Sequence, residues 1–191
     1  GVENVQELSN IEVILLSIVN EKPTYAYEID KIIDSRDMRK WVRIGVASIY
    51  QVLKRLEERE LVYSKREKKG RMPDRKRYYI TEAGKIALKE AAKRLLSSFE
   101  WFYFDLTVGL ETSDLLSPGE IADCLMERLA RGRASLRRLR EIASNPRDFK
   151  ESAVARYLIS FREAEERYLQ QIIKELTTEA ACTSTSSLRK N

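Results

Sequence analysis

A helical pattern that passes directly into two short β-forming runs is the feature that most constrains the fold of this chain. The helix is predicted over residues 46–59, and the two runs cover 61–66 and 75–80. Gly70 and Pro73 lie between the runs, where turn residues are expected. The sequence therefore predicts an amphipathic helix followed at once by a β-hairpin.

The predicted hairpin concentrates the positive charge of the chain. Lys and Arg number 35 against 30 for Asp and Glu, which gives a net charge of +5. The window from Leu61 to Ile80 holds eight basic and two acidic residues, so it carries +6 and the remainder sums to −1. A cationic loop is usually solvated surface, but a local cationic patch also attracts polyanions such as nucleic acids. The hairpin residues expected to contact DNA are Lys68, Lys69, Arg71, Arg75 and Arg77.

The helix over residues 46–59 has an apolar side and a polar side. Ile49, Val52, Leu53 and Leu56 cluster on the apolar side. The opposite and flanking positions expected to contact DNA are Ala47, Ser48, Tyr50, Gln51, Lys54 and Arg55. In the major groove, Gln pairs with adenine, Lys or Arg pairs with guanine, and an Ala methyl contacts the thymine methyl. For an isolated helix, ordinary solvated surface would be the favoured interpretation, but the neighbouring basic hairpin favours a DNA-reading helix.

Two further helices are predicted before this segment. The first is apolar nearly all round between Ile11 and Val19, so it should be buried on more than one side. The second runs to about Ser35, with Thr24 as its cap. Three helices followed by a basic hairpin is the order of a winged helix-turn-helix, in which the third helix enters the major groove and the wing lies along the phosphates. Residues 1–80 are therefore predicted to form a winged helix-turn-helix DNA-binding domain.

The remaining chain is predicted to be helical. A long linking helix is expected over 81–110, followed by helices over about 118–144 and 147–176 and by a polar tail over 177–191. Residues 81–176 would then form a helical dimerisation domain. The predicted fold class is mostly α with a small β-hairpin wing.

Apolar seams on these helices predict pairing with a second copy of the chain. Along the linking helix the apolar residues step by three or four, as in helices that pack against one another. Symmetric closure between two chains would cover these seams and the apolar first helix together. The residues expected at the dimer interface are Ile11, Leu15, Leu95, Phe99, Phe102, Leu106, Leu125, Leu129, Leu136, Tyr157, Phe161 and Tyr168.

The chain lacks the residue patterns of common catalytic and metal sites. It contains no His, no glycine-rich phosphate loop and no GxSxG motif, and its two cysteines form no CxxC pair. No apolar run approaches the roughly 20 residues of a membrane span, and no signal peptide is evident. We therefore expect a non-enzymatic cytoplasmic protein, associated with the nucleoid, with no cofactor, no metal and no membrane partner. A sequence-blind architectural protein or an RNA-binding protein is the alternative to specific DNA binding, since the wing charge would serve either function.

Four motifs in the first half of the chain resemble those of the PadR family of transcriptional regulators. They are YAYEI at 25–29, SIY at 48–50, LKRLE at 53–57 and RYYITEAG at 77–84. The later helices are similar in length and pattern to the C-terminal dimerisation region of the larger family members. The resemblance implies a homodimeric repressor that binds double-stranded DNA at a palindromic operator. Gln51 departs from the family pattern, in which many members have proline after the tyrosine.

The resemblance also implies roles for aromatic residues. Tyr25 and Tyr50 match tyrosines that help to grip the DNA backbone in the family. Family members sense small aromatic molecules in the region between the DNA-binding domains and the dimer helices, so Phe99, Trp101 and Phe102 are candidates for an effector pocket. Aromatic residues at helical spacing more often form a core or a dimer interface, which is the competing interpretation.

Overall fold

The computed structural model describes residues 7–187, except for the side chains of Val46 and of residues 179–187. The chain forms two compact units, which meet in sequence between Trp101 and Phe102. The described elements are, in chain order, α1 (Asn10–Glu21), β1 (Thr24–Tyr25), α2 (Ala26–Ser35), a 3₁₀ turn (Met38–Lys40), α3 (Val46–Glu58), β2 (Val62–Glu67), β3 (Arg75–Ile80), α4 (Glu82–Ser97), α5 (Asp105–Glu111), α6 (Pro118–Ser144) and α7 (Phe149–Ser187). The prediction of a mostly helical fold with a small β-wing and a C-terminal helical pair is confirmed.

Helices α1, α2 and α3 supply most of the core of the first unit. Ser9 and Glu12 form a reciprocal capping box that starts α1. Leu15 and Leu16 are both 0% exposed although they point about 100° apart on the helix, so α1 is buried on more than one side as predicted. The fully buried side chains contributed by α2 and α3 include Ile29, Ile33, Ile49, Leu53 and Leu56. The apolar side of α3 is therefore held by the core, and its other side is left to solvent.

A three-stranded antiparallel sheet in the order β1-β3-β2 adjoins these helices. Strands β2 and β3 form the predicted hairpin, in register from the Val62–Ile80 pair to the Glu67–Arg75 pair. The sequence does not predict β1, and Thr24 is not the helix cap that was expected. Its backbone pairs with Tyr78, and its hydroxyl donates to the Glu28 carboxylate at 2.6 Å. A strand of two residues is too short to show alternation, so only its tertiary pairing defines it.

The prediction of one linking helix over 81–110 is wrong, because two shorter helices occupy this range. Helix α4 ends at Ser97, and α5 begins at Asp105. The hydroxyls of Ser97 and Ser98 donate to carbonyl oxygens in the last turn of α4, at 2.9 and 3.2 Å. Serine hydroxyls compete with the backbone for helical hydrogen bonds, and the aromatic residues that follow have a lower helix propensity. Helix α4 packs against α1, so the unit boundary falls after this helix and not before it.

The second unit is built mainly on the packing of α6 against α7. Ser117 and Glu120 form the capping box that starts α6, with Pro118 in its first turn. The buried side chains of the pair are Ala122, Leu125, Leu136, Ala155 and Leu169. Ion pairs flank this apolar seam, and one joins Arg128 to Glu165 at 2.6 Å. Within residues 7–187, none of the helices has the length and apolar character needed to cross a lipid bilayer.

The predicted end of the last helix at residue 176 is also wrong. Helix α7 continues to Ser187, into the range 177–191 that was expected to be a polar tail. No Gly or Pro occurs between residues 177 and 187, and each helical N–H needs only the carbonyl four residues earlier. A polar composition is therefore compatible with a continued helix. The last four residues of the expected tail lie outside the described residues.

Candidate nucleic-acid interface

Helix α3 presents a solvent-facing surface that contains most of the residues predicted to read DNA. The exposed members are Ala47, Tyr50, Gln51 and Lys54, and Ser48 is half-buried. The Lys54 ammonium lies 3.8 Å from the Glu58 carboxylate one turn later, and such a surface pair is weak. Tyr50 is 57% exposed, which leaves it free to contact a ligand. These side chains form a mixed small, amide and basic surface of the kind that fits a major groove.

Arg55 differs from the other predicted DNA contacts because it faces a carboxylate of α1. Its guanidinium lies 3.8 Å from the carboxylate of Glu12, which also lies 3.4 Å from Arg59. Glu12 is only 6% exposed, and a buried carboxylate needs a cation nearby to offset its desolvation. Arg55 therefore helps to attach α3 to α1.

The tip of the wing carries cations that are open to solvent. Lys68, Lys69 and Arg71 are exposed, and none of the three has an ion-pair partner within the described part of the chain. Gly70 adopts a φ of +61°, a left-handed conformation that favours glycine and that turns the loop between the strands. On strand β3, Lys76 lies 3.9 Å from Glu57. The uncompensated positive charge is therefore concentrated at the tip.

Tyr25 organises two cations of strand β3. Its hydroxyl donates to the Glu67 carboxylate and accepts from Nη2 of Arg77 at 2.7 Å. The guanidinium carbons of Arg75 and Arg77 lie 4.9 and 4.8 Å from the centre of its ring, within the range of cation–π contacts. Tyr27 stacks on Tyr25 at 5.6 Å between ring centres. These five residues are called the Tyr25 cluster below.

The position of Tyr25 differs from the one expected for a contact with the DNA backbone, which is the role that the family resemblance implies. The residue is 8% exposed, and its hydroxyl is already engaged on both sides. Its hydrogen bond is the main cause that lowers the pKa of the Glu67 carboxyl, and the same hydroxyl raises the pKa of the Arg77 guanidinium. Tyr25 thus supports the cations of the wing, whereas Tyr50 has the exposure that contact with a backbone requires.

Replacing Tyr25 by Phe is expected to raise the pKa of Glu67. The variant keeps the ring on which both arginines stack but removes the hydroxyl that stabilises the ionised carboxylate. A carboxyl whose pKa is depressed by folding stabilises the fold above its unfolded value of about 4.3, and this stabilisation is lost as the pH falls through the folded pKa. The variant should therefore lose less stability than the parent protein on acidification below about pH 4.3.

A carboxyl-carbon NMR titration of Glu67, combined with urea unfolding at neutral and acidic pH, measures both effects. Tyr27→Phe is the matched control, since the Tyr27 hydroxyl accepts from Arg75 at 3.1 Å, whereas the Tyr25 hydroxyl donates to Glu67. The control should leave the Glu67 titration unchanged. An unchanged titration in the Tyr25→Phe variant would show that the hydroxyl does not set this pKa.

Three residues that build the site were missed by the sequence analysis. Glu12 and Glu67 are acidic residues beside a basic surface, and only their contacts reveal that they hold arginines in place. For Glu67 a signal was available, because the hairpin register places it opposite Arg75, and opposite charges on facing strands attract. Arg39, in the loop between α2 and α3, offered no comparable pattern in the sequence.

The residues predicted for the dimer interface divide into buried and exposed groups. Leu15 is 0% exposed in the core of the first unit, and Leu125 and Leu136 are 4% and 2% exposed between α6 and α7. Each of these three side chains is covered by its own chain, and its role in a dimer interface stays a prediction. The half-buried members are Ile11, Leu95, Leu106 and Leu129. The exposed members are Phe99, Phe102, Tyr157, Phe161 and Tyr168.

The aromatic segment after α4 is exposed. Phe99 and Trp101, in the first unit, meet edge to face at 5.6 Å and are 82% and 76% exposed. In the second unit, Phe102 contacts Phe161 of α7 at 5.4 Å between ring centres. Phe102 is still 63% exposed, so neither group is a closed core.

Known proteins share the fold described above for this chain. Residues 15–90 match the model of the Transcriptional regulator PadR-like family. Bacillus subtilis PadR in complex with operator DNA is similar, with a TM-score of 0.77 and 17% identity over 88% of this chain and 99% of that chain. The same protein in complex with p-coumaric acid gives a TM-score of 0.72 and 16% identity over 87% of this chain and 98% of that chain. The Vibrio cholerae virulence activator AphA gives a TM-score of 0.69 and 17% identity over 89% of this chain and 99% of that chain.

At these identities the solved structures establish a shared fold. No curated protein matches the chain in sequence. The family match covers β1, α2, α3 and the whole wing, and it is a match to regulators and not to enzymes, which confirms the prediction of a non-enzymatic protein. Residues 15–90 are therefore similar to the PadR-like family of transcriptional regulators, and the solved structures extend the shared fold to most of the chain.

Proposed function

We propose that the protein is a sequence-specific regulator that binds double-stranded DNA as a homodimer and represses transcription at a palindromic operator. The observation that carries this proposal is the exposed polar face of α3 in the same unit as a cationic wing tip. A helix of this kind reads base edges, and a cationic wing supplies affinity through phosphate contacts. The proposed location is the cytoplasm, at the nucleoid, where a regulator of this family would act.

The relatives support DNA binding and leave the direction of regulation to experiment. Bacillus subtilis PadR was solved with operator DNA, and its fold matches most of this chain. The Vibrio cholerae relative is described as a virulence activator, so the fold serves activation as well. Repression is proposed here because it is the behaviour that the family resemblance implies. Reporter transcription from a promoter containing the selected operator decides between repression and activation.

Selection of bound duplexes from a random pool is the experiment that tests the function. A homodimer with one α3 per subunit should enrich a palindrome whose half-sites lie about 34 Å apart, which is one helical turn. A single unpaired half-site would contradict the dimer. Binding that enriches no sequence, or that RNA competes away equally well, would favour the alternative of an architectural or RNA-binding protein.

The exposed aromatic residues of α7 support the proposed homodimer. Tyr157, Phe161 and Tyr168 are 64%, 37% and 42% exposed and recur at helical spacing. An apolar stripe of this kind on a helix is typical of a surface that a second helix covers. Sedimentation of the purified protein tests the assembly, and a monomer at micromolar concentration would contradict it.

We also propose that the aromatic segment containing Phe99, Trp101 and Phe102 binds a small aromatic acid that releases the DNA. The support is the exposure of these rings and the complex of Bacillus subtilis PadR with p-coumaric acid. Phenolic acids should quench Trp fluorescence and lower operator affinity together. The chain has two Trp residues, so Trp101→Phe leaves Trp41 as the reporter and should abolish the quenching. Quenching that persists in this variant, or quenching without loss of DNA, would contradict the proposal.

A further inference from the structure

Arg39 connects the loop between α2 and α3 to both of its neighbouring segments. This loop contains Asp37, which has a left-handed backbone with φ of +53°, and the 3₁₀ turn Met38–Lys40. Nε of Arg39 donates to the carbonyl oxygen of Ile44 at 2.9 Å. Nη2 donates to the carboxylate of Asp30 at 2.5 Å, and Nη1 donates to the carboxylate of Asp34. The Arg39 side chain therefore connects helix α2 to Ile44, the residue before the N-cap of α3.

The start of α3 has no other side-chain support of this kind among its described contacts. Gly45 is the N-cap, and no side-chain cap hydrogen bond is made there. Ser, Thr, Asp or Asn at this position would have accepted a backbone N–H of the first turn. Ile44, immediately before the cap, is 7% exposed and belongs to the core. The contact from Arg39 to the Ile44 carbonyl thus acts at the point where the direction of α3 is set.

We infer that Arg39 is a positioning residue for DNA recognition, which holds the first turn of α3 at the angle that sequence readout requires. The inference rests on the proposed function, because Ala47, Ser48 and Gln51 lie in the first two turns of α3. The N-terminal residues of a recognition helix make its base contacts. A guanidinium presents its donors in a rigid planar fork, so it can bond two carboxylates and a carbonyl at once. An ammonium in the same place has three donors but no fixed plane, and it is expected to keep only part of the geometry.

The test compares Arg39→Met and Arg39→Lys with Arg36→Met in the full chain. Arg36 lies in the same loop, and its guanidinium donates two hydrogen bonds to the carboxylate of Glu21 in α1, at 2.9 and 2.7 Å. The binding probes are the operator duplex obtained by selection and a shuffled duplex of the same length. Arg39→Met should lower the ratio of operator to shuffled affinity at least about tenfold, which is the loss expected from one displaced base contact.

Binding of the shuffled duplex should stay unchanged, because the phosphate-contacting tip of the wing is untouched. Arg36→Met should keep the parent ratio of operator to shuffled affinity. The ratio for Arg39→Lys should lie between those of the parent protein and Arg39→Met. A purely structural role for Arg39 would lower the melting temperature while the ratio stayed at the parent value, and that result would overturn the inference. If Arg39→Met does not fold, Arg39→Lys gives the same comparison.

A second readout does not depend on DNA. Amide hydrogen exchange at Ile49 and Tyr50, which are among the first amides bonded within α3, should accelerate in Arg39→Met but not in Arg36→Met. Exchange equal to that of the parent protein would show that Arg39 does not hold the first turn. Should the parent protein prefer no duplex at all, the proposed function fails, and the exchange result alone decides whether Arg39 positions α3.

Discussion

Simultaneous reversal of Lys68, Lys69 and Arg71 to glutamate is expected to abolish operator binding while the fold is kept. All three side chains are exposed at the tip of the wing, and the loop that carries them contributes none of the buried core residues. Phosphate contacts supply most of the affinity of such proteins, so converting these attractions into repulsions should weaken binding at least about a hundredfold at physiological salt. Fluorescence anisotropy with the selected operator measures the loss.

The dependence of operator affinity on salt concentration shows whether the wing contacts phosphates directly or affects binding by another route. A dimer that neutralises about eight phosphates should show a slope of log affinity against log salt of about −7, and each lost contact should reduce that slope by about 1. The wing variant is therefore expected to give a slope much closer to zero than the parent.

The matched control reverses Lys85, Lys89 and Lys93 to glutamate, which changes the net charge equally along one exposed stripe of α4. This control should retain most of the affinity and the parent slope. Equal losses in both variants would mean that total charge, and not the wing, drives binding.

Replacing Gly84 by Ala is expected to destabilise the first unit strongly. A Cβ atom at this position would lie 2.1 Å from the Leu61 carbonyl oxygen, 3.0 Å from its carbonyl carbon and 2.7 Å from Cγ1 of Ile80. The closest neighbour is a backbone oxygen, which cannot rotate away as the end of a flexible side chain can. The Thr81 hydroxyl also bonds the Glu60 and Leu61 carbonyls and accepts the Gly84 N–H at 2.9 Å, so the start of α4 is fixed against the end of α3.

We expect a loss of about 3 kcal/mol in the free energy of unfolding, at the upper end of the cost of overpacking. Urea unfolding followed by Trp fluorescence measures it, because both Trp residues of the chain lie in the first unit. Gly132→Ala is the control: nothing lies within 4 Å of its added Cβ. In the interior of α6 the change to Ala should stabilise by up to about 1 kcal/mol, measured by circular dichroism. A Gly84→Ala variant as stable as the parent would show that the close approach of α4 to Leu61 is not required.

The elements that depend on residues close together in the chain were predictable. Helix α3 and the β2–β3 hairpin follow from apolar spacing and from the turn residues between the strands. The break between α4 and α5 was missed because the apolar spacing continues across it, and hydrophobic periodicity alone cannot show where Ser97 and Ser98 end a helix. The extension of α7 was missed because a polar composition was interpreted as a tail, although nothing in it breaks a helix.

The surface proposed to bind DNA was partly predictable for the same reason. The exposed side of α3 follows from its helical period, and the cationic tip of the wing follows from local composition. The Tyr25 cluster could not be predicted from the sequence, because Tyr25 contacts Glu67 and Arg77 across separations of 42 and 52 residues. No local pattern identifies such partners.

The sequence by itself therefore determined the order of helices and hairpin, the position of the wing charge and the resemblance to a family of regulators, since each is a property of neighbouring residues. Only the tertiary structure decided that Tyr25 supports two arginines, that Leu125 and Leu136 lie inside the α6–α7 pair, and that Gly84 faces a carbonyl of Leu61. These features arise when segments distant in the chain pack at atomic contact. The identity of each partner, and the space left between them, then depends on the whole fold.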